Sequence, residues 1–289
     1  MPWIDQCLAS CSGYPVIVVD NNSTDATVSF IAGHYLNVEV LQQTKNLGFG
    51  AANNIGIKHA IGKGAHYVFL LNQDAYLQPD TINKLVKVHS EHSEFGILSP
   101  IHLDGGGKKL DTNFSNYFKI NNSFIYDTLK KEVLKNVYEL PFVNAAAWLL
   151  PKQTLEVIGG FDPIFYHYCE DDNYCQRVLF HGYKIGVVPH AFINHDREDR
   201  PVRKIMNADE KLVNKERQLK YQWGNINVEV EEAIEKQKKA LTKLIIKLFL
   251  KFKFNKASYY KSELSLINRI LPEIYKSRNV NSQKGKHYL

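Results

Sequence analysis

Two rhythms of apolar residues alternate along the first two hundred positions: unbroken runs of four or five residues, and stretches spaced by three and four. The first rhythm suits buried strands and the second suits helices. Residues 1–12 carry Pro2 just inside the start and Ile4, Cys7, Leu8 and Cys11 at helical spacing, which predicts an opening helix. Val16-Ile17-Val18-Val19 predicts a strand. It ends in the polar turn Asp20-Asn21-Asn22-Ser23-Thr24-Asp25, which holds N-caps for an amphipathic stretch through Ile31. Val38-Glu39-Val40-Leu41 predicts the next strand, followed by a glycine-containing turn and a helix to about Gly62. Residues 65–71 predict a core strand, because Val68-Phe69-Leu70-Leu71 is too short for a self-burying helix and stops abruptly at Asn72-Gln73-Asp74. A helix over 80–92, with Ile82, Leu85, Val86 and His89, precedes a short strand over 96–99. From 104 to 138 the pattern weakens, and Gly105-Gly106-Gly107 with scattered aromatics predicts an irregular or hairpin excursion over the sheet. Residues 142–150 predict a buried strand of small residues passing close to a ligand, and a short helix from Pro151 ends at Gly159-Gly160. Helical spacing returns over 174–180, and residues 183–188 predict a last strand, with His190 and His195 after it.

At 289 residues, with 44% hydrophobic and 12% aromatic content, the chain can build one large core with an appendage. The net charge of +6 admits nucleic acid, an acidic membrane surface or an anionic substrate as partner, so its location matters more than its sum. It is concentrated near the C-terminus. Cys7, Cys11, Cys169 and Cys175 have neither the density of a disulfide framework nor the paired C-x-x-C spacing of a zinc site. With no signal segment at the start, reduced cytoplasmic thiols are expected.

Three stretches carry candidate chemistry, each with a plainer alternative. Ligands of open α/β sheets collect at the carboxyl ends of strands, which puts Asp74 where a ligand or cation can reach it, unless Asn72 and Asp74 only shape the turn and cap the next helix. Gly48-x-Gly50 before an alanine-rich helix lets backbone approach a phosphate or sugar. Neither G-x-G-x-x-G nor a Walker lysine pattern is present, so dinucleotide and P-loop readings are weak. Glu170, Asp171 and Asp172 at a helix start suit the helix dipole, while the aromatic run Phe165-Tyr166-His167-Tyr168 before them would raise a carboxylate's pKa and suit proton abstraction. His195 reads either as a hydrogen-bonded core group or as a partner of Asp74 around a cation.

In order along the chain, residues 18–25, the block Asn46-Leu47-Gly48-Phe49-Gly50-Ala51-Ala52-Asn53-Asn54-Ile55-Gly56, Leu70-Leu71-Asn72-Gln73-Asp74, and Gly159-Gly160-Phe161-Asp162 continuing to Glu170-Asp171 resemble the family 2 glycosyltransferases, most of all the rhamnosyltransferases of bacterial surface polysaccharides. The resemblance covers residues 1–200 and implies a GT-A fold: a Rossmann-like, mostly parallel α/β sheet with flanking helices, here with a C-terminal helical extension over 201–289. It implies an inverting transfer of a sugar from a nucleotide donor to a hydroxyl of a glycan or lipid-linked acceptor. Asp20, Asn21, Asn22, Asn46, Gly48, Asn53, Asn72 and Gln73 would then line the nucleotide-sugar site. Asp74 would hold Mg²⁺ or Mn²⁺ in an Asp-x-Asp-type motif whose first position here is Asn72, with His195 assisting. Asp171 would be the base, with Glu170 beside it. The family's first strand, which precedes the opening helix and lies centrally in the sheet, has no counterpart, so the edges of its two neighbours are expected to be unpaired.

After Asp196 the pattern turns to charged helix, over 197–200 and again over 211–220. Between 236 and 261 there are nine lysines and no acid, while Leu241, Leu244, Ile245, Leu248, Phe249 and Phe252 recur at helical spacing. Such a helix suits the surface of an anionic membrane, and the stretch is too interrupted to span one. An ordinary core-facing helix with a solvated lysine face is the alternative. The expected location is therefore cytoplasmic, peripheral on the inner face of the membrane. A non-catalytic or truncated nucleotide-sugar-binding protein is the competing reading of the whole chain. Nucleotidyl transfer and nucleic-acid binding are disfavoured, since no basic glycine-rich phosphate loop and no nucleic-acid module is recognisable.

Overall fold

The computed structural model describes residues 3–119, 122–197 and 207–289. It divides into two compact units, Met1–Pro201 with Lys284–Leu289, and Val202–Gln283. In the first, α1 (Ile4–Ser10) buries Ile4 and Leu8 with Ile31 against the valines of a parallel pair, β1 (Val16–Asp20) and β2 (Val38–Gln42), which α2 (Thr27–His34) connects. α3 (Phe49–Gly62) leads to β3 (Tyr67–Leu71). There follow β4 (Ala75–Leu77), α4 (Thr81–Glu91) and β5 (Phe95–Asp104). A 3-10 turn (Phe114–Lys119), α5 (Ser123–Lys130) and the two-residue β6 (Tyr138–Glu139) make up the excursion. The unit is completed by β7 (Ala147–Pro151), α6 (Lys152–Ile158), α7 (Glu170–Phe180) and β8 (Lys184–His195).

The larger sheet has the order β3-β7-β5-β8-β4, with β6 paired to β8. β5 and β8 are parallel, whereas β7 runs antiparallel to both β3 and β5, and β4 and β6 run antiparallel to β8. β7 is buried along its whole length and β5 over its first eight residues, which is why both read as nearly continuous apolar runs. The main core gathers Ile57, Leu70, Ile97, Trp148, Phe161, Tyr174 and Ile185 on one face of this sheet, and Leu85, Val88, Leu98 and Leu149 form a second cluster on the other.

β5 and β8 are longer than the runs 96–99 and 183–188 suggest, because each continues through a proline. The register breaks between the pair Pro100 and Val188 and the pair Ile101 and Phe192, so Pro100 and Pro189 sit at an irregularity that tolerates a missing N–H. His190 and His195 consequently lie inside β8 and not after it. The run 142–150 is paired only from Ala147 onward, which leaves the backbone of Asn144 and Ala145 outside the ladder. Helix α4 starts at Thr81 with Asp80 at its cap position, so Asn72 and Asp74 do not cap it.

Among the described residues β1 pairs only with β2, and β3 only with β7. One edge of each is therefore unpaired among the described residues, as expected. Val16, Ile17, Val18 and Val19, like Tyr67, Val68 and Phe69, are correspondingly only half-buried.

The second unit consists of α8 (Ala208–Trp223), α9 (Glu231–Leu250) and α10 (Phe254–Asn281) around a core of Leu219, Trp223, Ile234, Leu241, Ile267, Ile270 and Ile274. Asn207 and Glu210 form a capping box at the start of α8, and Arg278 holds the following turn by donating to the carbonyls of Trp223, Asn225 and Val228. The expected helical character of 197–200 falls, beyond Arg197, outside the described residues. No helix among the described residues is long and apolar enough to cross a membrane.

The last six residues belong to the first unit. The Gly285 N–H donates to the Val157 carbonyl (2.9 Å), and the Gly160 N–H donates to that of His287 (2.7 Å). Gly159 has φ +78°, and a Cβ there would lie 2.2 Å from the His287 oxygen, so the glycine pair that ends α6 is what lets the tail approach. Arg177, fully buried, donates to Asn173 Oδ1 and to the carbonyls of Ile158 and Gly160, and its guanidinium lies 5.7 Å from the Tyr288 ring. The Tyr288 hydroxyl bonds the buried Asp162. Tyr288→Phe removes that donor and is expected to lower stability by about 1–2 kcal/mol in urea unfolding; an unchanged midpoint would show that the tail does not hold this loop.

Candidate active site

The sequence-predicted residues fall into three patches. In the first, β1 and β2 are parallel, so the turns that leave them emerge at the same edge. The Asn21 side chain organises this edge: its Nδ2 donates to Asn46 Oδ1 (2.9 Å) and to the Gly48 carbonyl (3.3 Å), and its Oδ1 accepts from the Leu47 N–H (2.7 Å). Asn46 Oδ1 also accepts from the Gly48 N–H at 2.9 Å. The buried Asp20 carboxylate accepts from the Ser23 N–H and draws the turn over itself, with Asn22 in the left-handed conformation at φ 69° that asparagine tolerates. Gly48 takes φ +82° at the start of α3, and a Cβ there would fall 1.9 Å from the Tyr166 carbonyl oxygen. Asn53 is placed differently from the rest, bonding back to the Phe49 carbonyl within α3 (2.9 Å).

The second patch lies at the end of β3. Gln73 is exposed and Asp74 is buried. Pairing of β4 with β8 sets Ala75 opposite His195 and brings the fully buried imidazole Nε2 to 3.5 Å from Asp74 Oδ1. The other ring nitrogen faces Asp111 Oδ2 at 3.8 Å. Both distances are too long for hydrogen bonds, and among the described residues neither nitrogen has a hydrogen-bond partner. His102 completes the wall: it stacks on Phe114, meets the His195 ring edge-on at 5.8 Å, and shares a 3.1 Å hydrogen bond with the Ser99 hydroxyl. Burial, reinforced by the neighbouring His195, holds its imidazole pKa well below the usual range.

A divalent cation is what these donors would suit. Buried carboxylate oxygen and imidazole nitrogen are ligands for a hard or borderline ion, and the two orphaned nitrogens are polar atoms awaiting a partner. Among the described residues no group of three or more histidine, cysteine or acidic side chains converges on one point. Asp74 and His195 would therefore hold such an ion only together with phosphate and water oxygens, the usual condition for Mg²⁺ and Mn²⁺.

The third patch is the start of α7. Glu170 is buried and Asp171 half-buried, and the Asp171 carboxylate accepts backbone N–H groups of Asp172 (3.0 Å) and Ala145. Burial raises the Asp171 pKa above the ordinary value in spite of those two donors, and Arg197 counters it from a distance. Asp172 is pushed up to about 7, by burial first and then by the charge of Asp171.

Short connections join the three patches. The Tyr166 hydroxyl donates to the Asn46 carbonyl (3.4 Å), and a Cβ on Gly50 would contact the Glu170 side chain at 3.6 Å, which links the first patch to the third. Ala145 donates to Asp171 while the next carbonyl, that of Ala146, accepts from the Asn72 N–H (2.9 Å), which links the third to the second. Sequence reasoning did not single out Asp111, His102, Tyr117, Asn144 or Arg197. Tyr117, whose hydroxyl accepts from Asn144 Nδ2 at 2.9 Å, lies within the electrostatic reach of Asp171, Asp111 and Arg197 together. Asp111 and Tyr117 sit in the excursion with no periodicity around them, so nothing local marked them.

The model for "Glycosyl transferase family 2" matches residues 2–151, over half of the chain. The chain belongs to this family. Among curated relatives of this glycosyltransferase family, the dTDP-rhamnosyl transferase RfbF of Shigella flexneri is 24% identical over 192 residues, 65% of this chain and 62% of RfbF. The N-acetylglucosaminyl-diphospho-decaprenol L-rhamnosyltransferase of Mycobacterium tuberculosis is 25% identical over 68% of this chain and 72% of its own length. Rhamnosyltransferase WbbL of Escherichia coli is 26% identical over 63% and 74%. Two solved structures share the GT-A fold: GalNAc-T7 with UDP, GalNAc and Mn²⁺ (TM-score 0.54, 13% identity, 80% of this chain and 50% of that one), and the mannosyltransferase PcManGT of Pyrobaculum calidifontis with GDP-Man and Mn²⁺ (TM-score 0.53, 19% identity, 78% and 59%).

Asp172 offers a test of the electrostatics of this family member's third patch. A carboxyl whose folded pKa is raised favours the protonated, folded form, so its contribution to stability is complete below pH 4 and is lost as pH rises through about 7. Asp172→Asn imitates the neutral form. It is expected to stabilise the protein by on the order of 1–2 kcal/mol at pH 8 and by little at pH 4, measured by denaturant unfolding; an equal effect at both pH values would contradict the burial argument.

Proposed function

We propose that the protein is an inverting glycosyltransferase that moves a sugar from a nucleoside-diphosphate donor to a hydroxyl of a glycan or lipid-linked acceptor in cell-surface polysaccharide assembly, on the cytoplasmic side of the membrane. The observation that carries this reading is the segment 144–146, where the Ala145 N–H holds Asp171 and the Ala146 carbonyl holds Asn72, two residues before Asp74. A carboxylate on the acceptor side and a cation site on the donor side are what direct displacement at an anomeric carbon requires.

In this reading Asp20, Asn21, Asn22, Asn46 and Gly48 receive the nucleoside, with Asn53, Asn72 and Gln73 toward the sugar and diphosphate. Asp74 and His195 would hold Mg²⁺ or Mn²⁺, which when bound would supply positive charge to balance the departing diphosphate. Asp171 takes the acceptor's proton as that oxygen bonds to the anomeric carbon and the bond to the diphosphate oxygen breaks, its electron pair leaving with the diphosphate. The raised pKa of Asp171 suits a base, and Ala145 fixes its direction. Glu170 shapes the turn beside it, and Arg197 adds positive potential on the same side. The named relatives support a deoxyhexosyl donor such as dTDP-rhamnose, and the decaprenol-linked substrate in one relative's name supports a lipid-linked acceptor.

Asp171→Asn is expected to lower turnover by about 10²- to 10⁴-fold while leaving donor binding intact, read as nucleoside-diphosphate release beside calorimetric donor titration. Wild-type turnover in that variant would remove the assignment. Asp74→Ala is expected to abolish the metal-dependent part of donor affinity, and an unchanged dissociation constant with Mn²⁺ present would contradict its role.

A further inference from the structure

The second unit ends its α9–α10 hairpin in a surface that its own core does not use. Ile234 and Leu241, in the first part of α9, are buried against Leu266, Ile267, Ile270 and Ile274 of α10. Farther along, that burial stops: Ile246 is 55% exposed, Phe249 61%, Leu250 73%, Phe252 80% and Phe254 51%. All eight positions from 249 to 256 are exposed. Five large apolar side chains within nine residues is not a scatter of single surface hydrophobes. The three phenylalanines also cluster, Phe249 and Phe252 each meeting the Phe254 ring edge-on at 5.3 and 6.0 Å.

The charge around this tip has one sign. Lys243, Lys247, Lys251, Lys253 and Lys256 surround it, with no acidic residue between 236 and 261. Lys243, Ile246, Lys247, Leu250 and Lys251 line one shallow groove, so ammonium groups and aliphatic side chains alternate along a single face. A protein partner of opposite charge would satisfy the lysines and leave the phenylalanines wet. Single-stranded nucleic acid would stack on aromatics but has nothing to offer Ile246 and Leu250. An anionic bilayer answers both, with acyl chains under the apolar tip and phosphates at the level of the lysines.

The geometry points to the α9–α10 tip as a membrane-docking device that inserts Phe249, Leu250, Phe252 and Phe254 below the headgroups of an anionic bilayer while Lys243, Lys247, Lys251, Lys253 and Lys256 contact lipid phosphates. This differs from a helix lying flat on its apolar stripe, because the proximal part of that stripe is already consumed by the helical core. It also stands apart from the sugar-transfer reading, since it rests on residues of the second unit alone and its test needs no turnover.

The full-length protein is mixed with vesicles of phosphatidylglycerol or of phosphatidylcholine and sedimented at low and at high salt. Binding to phosphatidylglycerol and not to phosphatidylcholine is expected. The charge variant Lys247→Gln, Lys251→Gln, Lys253→Gln is expected to bind on the order of a hundredfold more weakly, about fivefold for each lysine. The apolar variant Phe249→Ser, Leu250→Ser, Phe252→Ser should keep only loose attachment that high salt removes. A tryptophan placed by Phe252→Trp should be quenched by brominated acyl chains beyond the level of the parent protein. No sedimentation with phosphatidylglycerol, equal binding of both triple variants and the parent, or retention by single-stranded nucleic acid in preference to vesicles would each overturn the assignment. So would self-association without vesicle binding that the apolar variant abolishes. Unaltered circular dichroism of the variants, whose changed residues are exposed, separates loss of docking from loss of folding.

Discussion

One short piece of irregular backbone governs the geometry of the candidate site. Residues 144–146 precede β7 and are released from its ladder, so their peptide groups are available to other partners. Ala145 gives its N–H to the Asp171 carboxylate, Ala146 gives its carbonyl to the Asn72 N–H, and Asn144 reaches Tyr117 and caps the Ala146 N–H. Because β7 pairs with β3 from Leu71 and Ala147 onward, the distance between the two acidic turns is set by a sheet register and not by loop flexibility. Small side chains are required here: a larger residue at 145 or 146, both buried, would push the turns apart.

The same arrangement concentrates carboxylates where water is scarce. Asp74 and Asp111 are buried on either side of the fully buried His195, and Asp171 and Asp172 lie together at the start of α7. Burying like charges is costly unless cations or donors compensate them. The backbone supplies part of that compensation at Asp111, whose Oδ1 accepts from the Phe114 N–H (2.8 Å), and at Asp171. What is left is a concentration of negative charge that favours a positively charged guest, and at Asp171 and Asp172 burial raises the carboxyl pKa, which suits a proton acceptor.

What could be read from the residues alone was local. Asp20, Asn21, Asn46 and Gly48 follow strands in tight polar turns, Asp74 follows a four-residue apolar run, and Glu170-Asp171 precede a helical period; each is marked by its immediate neighbours. Long-range partners were not marked. Asp111 and Tyr117 reach the site from an aperiodic segment, and Asn144 from a run that reads as a buried strand passing close to a ligand, with nothing to mark that one residue within it. His195 reads as lying beyond a strand whose apolar run stops at Val188, whereas a register break in β5 and β8 carries the ladder past both prolines. β4 was invisible because three residues leave no period to detect. The unpaired edges of β1 and β3 were legible for a different reason: the ordered set of blocks resembles a family with one more strand than is recognisable in these residues.

Those open edges also bear on how the patch around Asn21 and Asn46 is held. β1 and β2 have their own small core, Ile4, Leu8 and Ile31, and no ladder joins them to the larger sheet among the described residues. The joint is made by helices instead: in α1 the Ser10 hydroxyl accepts from the Leu77 N–H of β4 (3.0 Å), and α3 supplies the rest. Asn54, buried within it, accepts from the Phe161 N–H (2.6 Å) and donates to the Phe161 carbonyl (2.8 Å), while Gly160 leaves no room for a Cβ against the same side chain. Gly48 and Tyr166 press together at the start of that helix. A pair of strands fastened through side chains of helices and a loop opens more readily than strands fastened by a ladder. A ligand that touches Asn21 and Asn46 on one side and Asp74 on the other would bind only the assembled form, so its binding energy and the closure of this joint are coupled. The loop that makes the joint, residues 159–169, leads directly into Glu170 and Asp171, and the chain's last residues fasten its other end. A ligand seated against Asn21 and Asn46 would thereby bear on the placement of the acid cluster through covalent continuity, without a separate transmitting element.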